Sequence, residues 1–68
     1  MSKNTYVKTV YEDKSQKANI TRYRSKELAE NMMAAYAEWG LDIESCETIP
    51  EEEAFAQIRA KTVTYDRA

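Results

Sequence analysis

"SKELAENMMAAYAEWG", from Ser25 to Gly40, decides how the rest of the chain is read. Lys26 to Trp39 are mostly strong helix formers, with no Gly or Pro among them. Ser25 suits the N-cap, because its hydroxyl can accept from a first-turn amide. Glu27 falls in that first turn, where the helix dipole favours a negative charge. Gly40 ends the run as the residue that adopts the left-handed C′ conformation at least cost. Apolar side chains recur at Leu28, Met32, Ala35, Tyr36 and Trp39, the spacing of one helical face. A helix over 26–39 follows, with Trp39 expected in the core. Glu27, Glu30 and Glu38 fall on the opposite, wet side.

Before this helix, "TYVKTVYE" (Thr5 to Glu12) is rich in β-branched and aromatic residues and alternates. "DKSQ" (Asp13 to Gln16) is turn-like, and "KANITRYR" (Lys17 to Arg24) reads as the returning strand. A four-residue loop pairs Glu12 with Lys17, Tyr11 with Ala18, Thr9 with Ile20 and Val7 with Arg22. Val7, Thr9, Tyr11, Ala18 and Ile20 then share the expected core face. Tyr6, Lys8, Val10, Glu12, Asn19, Thr21 and Tyr23 share the other. A slip of one residue would exchange the faces of one strand relative to the other.

After the helix, "LDIES" (Leu41 to Ser45) alternates and reads as a third strand, with Leu41 and Ile43 toward the helix. "TIPEEEAFAQIRAK" (Thr48 to Lys61) reads as a second helix with a narrow stripe of Ala54, Phe55 and Ile58. Thr48 and Glu51 have capping-box spacing, and Pro50 suits a first-turn position. "TVTY" (Thr62 to Tyr65) is either a short edge strand or a tail. The expected fold is therefore one small α+β domain over 1–68, in ββαβα order with an optional last strand. Its sheet is expected to be antiparallel, with the helices on one face.

Charge is unevenly distributed. Residues 1–26 carry seven bases and two acids, whereas 27–53 carry nine acids and no base. Net charge is −2, which by itself implies no partner. No apolar run approaches the roughly 18 residues a membrane span needs. "MSKNTYVKTV" has no apolar leader segment, and the one cysteine cannot form an internal disulfide. A reducing, cytoplasmic setting is the expectation.

The composition argues against most catalysis. With no His, the commonest general base and metal ligand is missing, and no Ser–His or Cys–His pair can be built. One Gly is too few for a phosphate-cradling loop. No cofactor and no metal site are expected. Cys46 precedes a helix N-terminus, but Asp42, Glu44 and Glu47 oppose a reactive thiolate, so it reads as a small hydrophobe.

Binding remains. The chain carries five Tyr, one Trp and three Met, the groups that dominate contact energy at interfaces. Tyr6, Lys8, Arg22 and Tyr23 are the expected contact, on an open sheet face, for a host or other cellular protein. A second reading uses the same basic, tyrosine-bearing hairpin to hold nucleic acid. A third takes the acidic stretch as a DNA mimic. Homodimerisation is a further expectation for a chain this short. In size, acidity and lack of cofactor chemistry the chain resembles small accessory proteins of bacteriophages and mobile elements. That resemblance implies a protein that inhibits or modulates one host factor.

Overall fold

The computed structural model describes residues 4–40 and 42–68. Six elements follow in the order ββαβαβ. They are β1 (Thr5–Tyr11), β2 (Ala18–Tyr23), α1 (Lys26–Trp39), β3 (Ile43–Ile49), α2 (Glu51–Ala60) and β4 (Val63–Arg67). The α+β class and the element order are as expected, and the optional last strand is present. The sheet is mixed, because β4 adds parallel to β2 while β1 is antiparallel to both β2 and β3. Strand order is β3-β1-β2-β4.

The helices lie on opposite faces of this sheet, not on one. Tyr6, Ile20 and Ala54 form one half-core, with Ile49, Ile58 and Val63 packed around them. Val7, Tyr23 and Ala29 form the other, with Met32, Met33 and Cys46 around them. Tyr6 and Val7 are consecutive on β1, so their side chains point to opposite faces. The reason is topological. β2, β3 and β4 all run the same way. The β2-α1-β3 crossover travels toward one edge, and β3-α2-β4 travels back across the whole sheet. Crossovers of a single handedness that travel in opposite directions must pass over opposite faces.

The hairpin register differs by one residue from the expected pairing. Val7 opposes Thr21, Lys8 opposes Ile20 and Thr9 opposes Asn19. Ile20 therefore shares a face with Tyr6 and Lys8, and Tyr23 shares a face with Val7 and Thr9. The turn sets this register. Gln16 N–H donates to Asp13 O at 3.0 Å, and the Asp13 carboxylate accepts from the Ser15 amide and hydroxyl. With a helix on each face, both sets of alternating positions need apolar residues, so the pattern alone fixes neither register.

Helix α1 starts and stops as its sequence indicates. Leu28 N–H donates to Ser25 Oγ at 3.2 Å, and Gly40 is left-handed at φ 67°. Helix α2 is less well capped. Pro50 takes the N-cap position and no side chain caps the helix, so the Thr48–Glu51 box does not form. Thr48 belongs instead to β3, which begins and ends later than expected. Leu41 lies outside the described residues. Cys46 sits within β3, half-buried, with Sγ 3.6 Å from Thr9 Oγ1.

Candidate functional site

One helix is about 10 Å across, whereas four strands at about 4.8 Å spacing need roughly twice that to be covered. Each face of the sheet therefore keeps an open strip. Helix α1 lies against β1, β2 and β3, and α2 lies against β1 and β4. On the α2 face, the strip over β3 and the near part of β1 carries Lys8, Ser45 and Glu47, which suit water. On the α1 face, the strip over β2 and β4 becomes a groove of about 570 Å³.

Three layers of contact build this groove. Its helical wall is Leu28, Met32 and Tyr36, and its floor includes Tyr11 and Tyr23. Next to those rings runs a polar rail. Thr64 Oγ1 donates to Asn19 Oδ1 at 2.7 Å, and Asn19 Nδ2 donates to Thr21 Oγ1 at 2.8 Å. These groups satisfy one another. Asp66 closes the far side on β4, and among the described residues its carboxylate has neither a hydrogen bond nor an ion pair. Burial pushes the Tyr23 hydroxyl up to about 12, helped by the hydroxyl of Tyr36. Tyr11 is also raised, by burial first and then by Tyr36, Asp66 and Cys46. The three phenols and Asp66 are thus electrostatic neighbours.

The wall of the groove continues onto open surface. Helix α1 buries Ala29 and partly buries Met32 and Met33, so its inward face is turned one residue from the expected stripe. Ala29 allows close approach to the sheet, and Leu28 and Trp39 are left 48% and 62% exposed. Trp39 is therefore not core. It leans on Tyr36 with ring centroids 5.8 Å apart. Leu28, Ala35 and Trp39 form an apolar ridge beside the groove.

The four hairpin residues expected to form a contact do not share a surface. Tyr6 and Tyr23 are each 3% exposed and belong to opposite half-cores. Lys8 and Arg22 are half-buried on the α2 face, with Lys8 opposite Glu47. Arg22 Nε is buried without a hydrogen-bond partner among the described residues. Neither buried tyrosine is free to stack on a base. Two of the hairpin's other bases have local partners, with Lys14 paired to Glu44 at 2.7 Å and Lys17 Nζ 3.4 Å from Lys61 O. The nine acids are divided among α1, β3 with its approach, and the first turn of α2. They thus lie on both sides of the sheet, not in one stripe.

Three of the groove's lining residues, Tyr11, Leu28 and Tyr36, fall among core positions when only one face of the sheet is covered. The crossover directions were the available signal. The width of the apolar arc on α1 was a second, since it exceeds what one sheet contact uses. Among the described residues no group of three or more His, Cys, Asp or Glu is placed to hold a metal ion, and no helix is long and apolar enough to cross a membrane. Comparison with protein-family models, with curated proteins and with solved structures found no match for the chain.

Proposed function

We propose that this is a non-enzymatic protein-binding module whose contact surface is the open side of α1, from the Leu28–Trp39 ridge into the groove above β2 and β4. The observation that carries the reading is Trp39. A large aromatic 62% exposed, beside a 48% exposed Leu28 on the same helix side, is the kind of group that dominates interface energy when covered. The partner is a cellular protein, and modulation of that protein is the proposed activity. This replaces the hairpin surface as the contact, since Tyr6 and Tyr23 serve the core.

The test is capture of partners from lysate by tagged wild type and by a Leu28→Ser/Trp39→Ser variant, after nuclease treatment. Loss of one stoichiometric protein in the variant, with unchanged circular dichroism, is the expected result. Sedimentation of both proteins checks the alternative of self-association. A dimer abolished by the same two changes, with no other protein captured, would make a second copy the occupant and displace the reading. Retention of nucleic acid alone would displace it too.

A further inference from the structure

The groove beside α1 has one acidic side chain, Asp66, and a specific chemical character. Its rail of Thr64, Asn19 and Thr21 is internally hydrogen-bonded, so those groups have little left to offer a ligand. Arg67 lines the groove, yet its register position opposite Arg22 puts its side chain on the α2 face. The free polar group is then Asp66, an acceptor with no cation beside it among the described residues. Three phenol rings line the same space, and Leu28 and Met32 form an apolar wall. Aromatic rings attract cations through their negative faces, and a nearby carboxylate adds to that attraction. A stem of methylenes would lie along Leu28 and Met32 while its charged head reached the rings.

We propose that this groove takes the alkylammonium side chain of a lysine from the protein partner, with Asp66 as counter-charge and the half-buried rings of Tyr11 and Tyr36 as its aromatic lining. The inference rests on the reading of the open side of α1 as the contact surface, and it specifies what the partner must present there. Lysine is the occupant the apolar wall favours, because its unbranched four-carbon stem can lie along Leu28 and Met32 with a compact head at the rings. The Asp66 carboxylate could also take an arginine fork, so the guanidinium arm of the test decides between them. The ridge of Leu28 and Trp39 would cover apolar residues that flank the lysine.

The experiment follows amide signals of isotopically labelled protein during titration with n-butylammonium chloride, n-butanol and n-propylguanidinium chloride at constant ionic strength. Saturable shifts at Asn19, Thr21 and Asp66 are expected with butylammonium in the millimolar range. The neutral alcohol should bind about threefold or more weakly, and Asp66→Asn should erase that preference. Equal binding of ammonium and alcohol, or a preference that survives Asp66→Asn, overturns the cation site. Tighter binding of the guanidinium overturns the lysine assignment. Neither result touches partner capture through Leu28 and Trp39, so failure here is separable from failure of the contact surface.

Discussion

The two helices of this protein are used differently. Helix α1 is capped at both ends, by the Ser25 hydroxyl and by left-handed Gly40. Helix α2 has no side-chain N-cap and ends on Lys61 at φ 59°, a conformation that side chains other than Gly adopt at a cost. Yet α2 covers a half-core as well filled as that under α1. Tyr6, Ile20 and Ala54 are buried there with Ile49, Ile58 and Val63 around them, and Phe55, itself 39% exposed, edges onto Tyr6 at 5.5 Å. Helix α1, the better-made helix, leaves Leu28 and Trp39 in water. A helix that holds itself together depends less on the sheet, so it can spare an apolar side for something else.

The largest effect should come from the α2 face. Ile20→Ala is expected to cost about 2–5 kcal/mol. A domain of this size has only about 3–5 kcal/mol in total, so denaturant titration should find the variant largely unfolded. Alkali tests the α1 face. Tyr23 is raised to about 12, so between about pH 10 and 12 the unfolded phenol is ionised while the folded one keeps its proton. Stability is therefore full below pH 10 and falls through that window, by up to about 1.4 kcal/mol per pH unit. Tyr23→Phe should flatten the fall, which urea melts at stepped pH would measure.

The helix ends give a smaller, signed pair. Gly40→Ala meets no atom within 4 Å, so its cost is conformational, about 1 kcal/mol. Lys61→Gly should go the other way and stabilise by up to about 1 kcal/mol. Thermal melts of both would show whether the two helix ends differ as described. The smallest effect belongs to Lys14, whose bridge to Glu44 is exposed at both partners. Lys14→Ala should change stability by less than about 1 kcal/mol.

Helix α1 was the most legible element, because cap, stripe and stop are all local signals. The first three strands are legible as strands, whereas Thr62–Tyr65 reads equally as an edge strand or a tail and proves to be part of β4, Val63–Arg67. What could not be read locally was which face each strand residue served. Tyr6 and Tyr23 are spare aromatics only in a sheet with a single covered face. Once the β2-α1-β3 and β3-α2-β4 crossovers are drawn, both become core, and the spare apolar groups move to α1. Which aromatics stay exposed depends on that tertiary step, and Tyr6 and Tyr23 do not. Asp66, at the far side of the groove, lay in a segment with no assigned path.

The proposed division between a structural α2 face and a contact-making α1 side is tested most directly by matched surface changes. The captured partner would be titrated against wild type, Leu28→Ser/Trp39→Ser and Tyr65→Ser, with folding of each checked by circular dichroism. Tyr65 is 37% exposed and pairs in register with Ile20 on the α2 face. The account predicts that the Leu28/Trp39 variant loses at least tenfold in affinity, about 1.4 kcal/mol, while Tyr65→Ser binds as wild type. Unchanged binding by the folded Leu28/Trp39 variant, or loss on Tyr65→Ser alone, would contradict it.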